Sequence, residues 1–225
     1  MKASAFEYAR PKDVAEAVKL LAEGGDGAKC AAGTQSLGPM LNLRVVQPTV
    51  LVDLRHIEEL KAVTDGPDAV TYGACTTHAA VEDGRVPDPT GGFLREIASN
   101  IAYRAVRNRG TMGGSLVHAD PAADWPSTML VLGATMLVAG PGGRREIPVD
   151  AFFTSIFETA LKPGEILVGA RVPRRGPKAR RGYWKFCRKT GEFPQAIGAA
   201  LVDPDKGEAR AVIGATLSTP VLLSN

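Results

Sequence analysis

Apolar residues recur at i, i+3, i+4 and i+7 in PKDVAEAVKLLAE (11–23), where Val14, Ala17, Val18 and Leu21 share one face. The spacing predicts an amphipathic helix. Pro11 suits its first turn, Asp13 its positive end, and Gly24–Gly25 its termination. AKCAA (28–32) and VLVDL (50–54) are short apolar runs and predict strands, with a helical turn at LGPMLNLR between them. This is a β-rich lobe with one helix packed on it. From about Glu58 the pattern changes. KAVTD and AVTYGA flank Gly66–Pro67 as a strand pair, and TTHAAVED, GGFLREIASNIA and DWPSTMLVLG predict helices. ATMLVA and RREIPV pair around GPGG, AFFTSIFETAL predicts a short helix, and EILVGARVP a strand. GYWKFCRKTG alternates, with Tyr183, Lys185 and Cys187 on one side and Trp184, Phe186 and Arg188 on the other. AIGAALVD and ARAVIGAT are strands around the turn PDKG. There is no repeat and no regular βαβ alternation, so the class is α+β.

Composition narrows this picture. The chain has 225 residues, 44% of them hydrophobic, enough for one core or two small lobes. Its longest apolar run, MLVLGATMLVAG (129–140), is broken by glycine and too short to span a bilayer. MKASAFEYARPKD carries charges where a secretory signal needs an apolar core, so a cytoplasmic protein is expected. Cys30, Cys75 and Cys187 form no CxxC; neither a zinc knuckle nor an iron–sulfur cluster can be built from them, and small buried thiols are expected. The chain carries +3, but Arg171–Lys189 holds nine basic residues and no acid, so the rest is net −6. No nucleic-acid-binding motif accompanies that run; RRGPKARRG reads as a solvated loop.

The stretch with most chemistry is RNRGTMGGSLVHADPAAD (107–124). A serine nucleophile at Ser115 would want G-x-S-x-G, and GGSLV lacks the second glycine. His118, Asp120 and Asp124 match no established metal-ligand spacing. A backbone cradle for an anion accounts for more of the letters. Gly113 and Gly114 let N–H groups come close, Thr111 and Ser115 add hydroxyls, and Asp124 suits a ribose diol. A plain tight turn is the plainer alternative. A second stretch, AAGTQSL (31–37), repeats the chemistry with Gly33, Thr34, Gln35 and Ser36, and it follows a strand. Neither stretch is a Walker loop or G-x-G-x-x-G.

AGTQSL, VLVDL, VRNRGTMGGSLVHADPAAD, PGGRREIPVDAFF and KFCRKTGEF, in this order, resemble the FAD-binding medium subunit of molybdenum hydroxylases, the family of the carbon monoxide dehydrogenase medium subunit and the xanthine dehydrogenase flavin region. The resemblance covers almost the whole chain. It implies a two-lobed FAD-binding domain of the vanillyl-alcohol-oxidase (PCMH) type over 1–57 and 58–175, then the start of a C-terminal α+β domain over 176–225. Because STPVLLSN stands where the family continues, that domain is expected to be truncated, which raises the alternative of a non-catalytic relic or interaction module. The implied role is an oxidoreductase subunit that takes electrons from the 2Fe–2S clusters of a small subunit and hands them, through FAD, to an external acceptor. The substrate is oxidised at the molybdopterin cofactor of a large subunit. The resemblance assigns Lys29, Ala32, Gly33, Thr34, Gln35 and Ser36 to a first diphosphate loop, and Thr111, Gly113, Gly114 and Ser115 to a second. It assigns Asp124 to the ribose, Leu167 to the cofactor lining, Lys185 to the flavin surroundings and Phe193 to stacking on the ring. Arg107 and Arg109 then anchor the loop or screen the diphosphate, and His118 packs the loop. No residue of this chain is expected to be catalytic itself or to bind a metal.

Overall fold

The computed structural model describes residues 2–223. Its first unit runs β1 (Glu7–Ala9), α1 (Val14–Gly24), β2 (Ala28–Ala31), α2 (Leu37–Asn42) and β3 (Val50–Asp53). The three strands are parallel in the order β1-β3-β2. The expectation of no βαβ alternation is therefore corrected here. Strands of three or four residues carry too little pattern to reveal that α1 and α2 are crossovers between parallel strands of one sheet. Helix α1 starts at Val14, with Asp13 as its cap: the Glu16 N–H donates to Asp13 Oδ1 at 2.8 Å. Pro11 lies outside it. Gly25, at φ 50°, ends it as expected.

The chain continues through β4 (Val63–Asp65), β5 (Ala69–Gly73), five helices, and then β6 (Thr135–Gly140) and β7 (Gly143–Pro148). The helices are α3 (His78–Glu82), α4 (Phe93–Ser99), α5 (Arg104–Arg107), α6 (Met112–His118) and α7 (Asp124–Leu132). After β7 come β8 (Phe153–Ser155), β9 (Glu158–Thr159) and β10 (Ile166–Pro173). An antiparallel sheet forms in the order β4-β5-β10-β6-β7. The helix expected over AFFTSIFETAL is a β8–β9 hairpin instead. Aromatic and β-branched residues there lose too much side-chain freedom in a helix, and Phe157 at φ 57° turns the chain at the tip.

The last sheet is antiparallel: β11 (Arg180–Phe186), β12 (Ala196–Asp203), β13 (Glu208–Gly214) and β14 (Val221–Leu223). The predicted alternation holds, with Tyr183 and Lys185 inward and Trp184 and Phe186 outward. Two cores join the units. In one, Val14, Ala17 and Val18 of α1 pack against Val52 and against Ala139, Ile166 and Val168 of the five-stranded sheet. In the other, Tyr72, Leu94, Trp125, Met129 and Phe152 share an interior with Ala199, Leu201 and Val212 of the last sheet. Every residue of α7 is buried, because it has the helices and sheets on all sides.

The basic run is not a free loop. Arg171 pairs with Glu146, Arg174 with Asp65, Arg175 with Glu208, Lys178 with Asp205, Lys185 with Asp124 and Arg188 with Glu192. Acids from the negative remainder partner six of its nine cations, which reduces the positive surface a polyanion would need. Cys75 is buried, Cys30 and Cys187 are half-buried, and all three are free. Burial pushes the Cys30 thiol up to about 12 and the Cys75 thiol to about 11, so both stay protonated. Among the described residues no helix is long and apolar enough to cross a membrane.

Candidate cofactor site

The first stretch leaves the carboxyl end of β2. Such strand ends are where α/β sheets present ligand loops. Thr34 sits at φ 57°, in left-handed backbone that β-branched residues avoid. A left-handed residue in a turn of this kind lets successive N–H groups face one anion. From Gly33 to Leu37, no N–H finds an acceptor within the described residues, and the next donor is Gly38, bonded to the Thr34 carbonyl at 2.9 Å. The hydroxyl expected to face an anion does not: Thr34 Oγ1 donates to the Gly33 carbonyl at 2.8 Å, and Gln35 Nε2 reaches the same oxygen at 3.1 Å. Ser36 is exposed and makes no capping bond. Ala32 is half-buried against the first core. Lys29 is exposed on β2, at the edge of the parallel sheet.

The second stretch behaves differently. Gly113, Gly114 and Ser115 lie in the first turn of α6, not in an open loop. Thr111 caps that helix, accepting the Gly114 N–H at 3.1 Å. The Met112 N–H donates to the Thr76 carbonyl and the Gly113 N–H to the Ala74 carbonyl, each at 2.9 Å. A Cβ at Gly113 would lie 2.5 Å from the Ala74 Cβ. Gly113 is thus required by helix packing, and these N–H groups are already bonded. The Thr111 N–H has no acceptor within the described residues.

The two stretches meet. Gly33 is buried against the backbone of Arg109 and Gly110, too close for any side chain at position 33. Beside this contact lies a cavity of about 240 Å³ whose lining includes Gly33, Arg55, Lys61, Asn108, Arg109 and Thr111. Three of these are cations and none is an acid. A row of free N–H groups near such a cavity fits a diphosphate. Arg55, Lys61 and Asn108 were not among the residues the sequence singled out. Arg55 follows VLVD, whose last strand residue, Asp53, pairs with Ala31, and it is this pairing, not a sequence motif, that puts it beside the first stretch.

Asp124, at the start of α7, and Lys185, in β11, also come together.

 The Lys185 ammonium donates to Asp124 Oδ1 at 3.0 Å and Oδ2 at 3.2 Å, and to the Asn100 carbonyl at 2.7 Å. The Tyr183 hydroxyl donates to Asp124 Oδ1 at 2.7 Å. Burial pushes the Asp124 carboxyl up, while Lys185 and Tyr183 oppose that rise. Leu167 is buried in the second core, at an irregular step of β10. Phe193 is exposed and lines a separate opening of about 400 Å³ with Arg188, Gly191, Glu192 and Gln195. The structure thus brings Gly33 and Thr111 together in one place and Asp124 and Lys185 in another.

The two arginines divide the roles expected of them. Arg107 anchors: it forks onto Glu82 at 2.7 and 2.9 Å and caps the Ile101 and Ala102 carbonyls. Arg109 is exposed, makes no ion pair among the described residues and lines the cavity. His118 stacks on Phe157 at 5.0 Å, and burial lowers its basicity. His78 accepts the Trp125 indole N–H at Nδ1, 2.9 Å, and burial, then the Arg107 charge, hold its pKa down at about 4. Among the described residues no group of three or more His, Cys, Asp or Glu side chains could hold a metal ion.

The family model for the FAD binding domain in molybdopterin dehydrogenase matches residues 4–175. The chain belongs to this family. It is 39% identical over 197 residues to the carbon monoxide dehydrogenase medium chain of Hydrogenophaga pseudoflava, covering 88% of this chain and 68% of that protein. It is 36% identical over 206 residues to the 6-hydroxypseudooxynicotine dehydrogenase complex subunit alpha of Paenarthrobacter nicotinovorans, covering 92% and 70%. Among solved structures, a carbon monoxide dehydrogenase from H. pseudoflava superposes with a TM-score of 0.94 at 36% identity, over 99% of this chain and 78% of that one. Quinoline 2-oxidoreductase from Pseudomonas putida 86 gives 0.89 at 34% identity, over 99% and 78%. The chain is a flavoprotein subunit of the oxidoreductase class, and its cofactor is FAD.

Proposed function

We propose that the chain holds FAD in a two-lobed domain of the PCMH type, with 1–57 and 58–175 as the lobes and 176–225 belonging to a C-terminal unit. It passes electrons from the 2Fe–2S clusters of a small subunit through FAD to an external acceptor. Substrate oxidation takes place in a molybdopterin large subunit, and the assembly works in the cytoplasm. The observation that carries this reading is the meeting of Gly33 with Arg109–Gly110 beside a cation-lined cavity. Bound FAD supplies the redox chemistry. The chain's own residues bind and orient.

In this reading the N–H groups of Gly33, Thr34, Gln35 and Ser36 donate to the diphosphate, with Ala32 shaping the loop and Lys29 adding positive charge. Thr111, Gly113, Gly114 and Ser115 form the opposite wall, α6 holding them in place. Asp124 accepts from the ribose, with Lys185 opposing the rise that burial causes in its carboxyl. Leu167 lines the cofactor, and Phe193 stacks on the flavin ring. The test is direct. Purified protein with a cooperative melt should carry flavin absorbance, with about one FAD released per chain on denaturation. Folded protein that takes up no FAD would overturn the reading. Co-purification with iron–sulfur and molybdopterin subunits, and bleaching of the flavin when their substrate is added, would test the electron path.

A further inference from the structure

Arg55 has a geometry that neither glycine stretch explains. It follows β3, whose last residue, Asp53, pairs in register with Ala31, so it sits beside the start of the first stretch. One edge of its guanidinium is fully held. Nε donates to Asp53 Oδ1 and Nη2 to Asp53 Oδ2, both at 2.9 Å, and Nη2 also reaches the Tyr8 hydroxyl at 2.9 Å. The Tyr8 hydroxyl in turn donates to Asp53 Oδ2. Asp53 is wholly buried. Nη1 has no acceptor among the described residues, and Arg55 lines the cation-rich cavity that Asp53 does not. The pair therefore forms a fixed dipole with its positive end at the cavity. A guanidinium already immobilised on one edge loses little freedom when its other edge meets an oxyanion.

We propose that Arg55 is a binding residue for the cofactor's diphosphate, with Asp53 and Tyr8 as the positioning residues that aim it. This rests on the FAD reading above. Asp53 suits its part because it stays charged: burial pushes its carboxyl up, but the Arg55 and Tyr8 hydrogen bonds outweigh burial and hold it at about 2. Lys61 is a weaker contributor, being tied to Glu58 at the surface.

The experiment compares FAD, ADP and riboflavin binding to flavin-free full-length protein by fluorescence titration. ADP carries the diphosphate without the flavin, and riboflavin the flavin without any phosphate. Arg55→Gln is expected to weaken FAD and ADP alike, by about ten- to hundredfold, with riboflavin unchanged and Arg55→Lys partly restoring both. Tyr8→Phe, on a half-exposed ring, is expected to weaken FAD and ADP by about two- to fivefold while the protein still melts cooperatively. It carries the test should Arg55→Gln fail to fold. Wild-type affinity for FAD and ADP in both variants would overturn the proposal while leaving the FAD reading intact. Equal weakening of riboflavin would overturn it too, since that marks a general distortion. Wild-type protein that binds neither FAD nor ADP would instead remove the FAD reading itself.

Discussion

AAGTQSL and GTMGGSL are near twins in composition, yet they use glycine for different ends. In the first, Gly33 lets the loop lie on the backbone of Arg109 and Gly110, and the N–H groups from Gly33 to Leu37, around a left-handed Thr34, have no acceptors among the described residues. In the second, Gly113 lets α6 pack on Ala74, and the N–H groups of Met112, Gly113 and Gly114 are bonded to Thr76, Ala74 and Thr111. A small, hydroxyl-rich stretch therefore marks close backbone approach. Whether what approaches is a ligand or another segment depends on where the N–H groups go.

The comparison makes one side of the site a donor row and the other a framework, and variants should separate them. The largest effect is expected at Asp124, which closes the second stretch. Asp124→Ala strands the buried Lys185 ammonium, so denaturant unfolding should show a loss of about 3–5 kcal/mol, together with loss of bound FAD. Next comes pH. His78, beneath Gly110, is held neutral in the fold with a pKa of about 4, against 6.5 ordinarily. The unfolded chain then binds the extra proton first. Stability should fall as pH drops from 6.5 towards 4, by up to about 3 kcal/mol in total. In His78→Gln that slope should flatten; an unchanged slope would show that His78 is not its source. Gly113→Ala should cost about 1–3 kcal/mol through overpacking against Ala74, by the same amount with and without FAD. A cost confined to the FAD-bound state would make Gly113 a ligand contact and break the comparison. The smallest effect is expected at His118→Ala, which removes the stack on Phe157. It should change the melt by less than about 1 kcal/mol and leave FAD affinity unchanged.

Much of this was legible in the sequence because periodicity is local. The α1 face, the β6–β7 hairpin and the alternation of β11 all follow from neighbouring residues. The β8–β9 hairpin was not legible, since a run of Phe, Thr and Ile suits a strand or a buried helix until Phe157 takes a positive φ. Nor was the parallel β1-β3-β2 order, which depends on pairing between segments far apart in the chain. At the site, Gly33, Thr111 and Asp124 could be named because glycine, hydroxyl and acid residues stand out in motifs, and Lys185 only through the resemblance to the family. Arg55 could not, because one arginine after a strand looks like any surface charge. Only the register of Asp53 with Ala31 puts it beside the loop.

Backbone hydrogen exchange with and without saturating FAD tests the central distinction most directly. Gly33 to Leu37 should exchange fast in the flavin-free protein and become strongly protected when FAD binds. Met112 to Gly114 should already be slow and change little. Strong new protection at Met112–Gly114, with Gly33–Leu37 unaltered, would contradict the account.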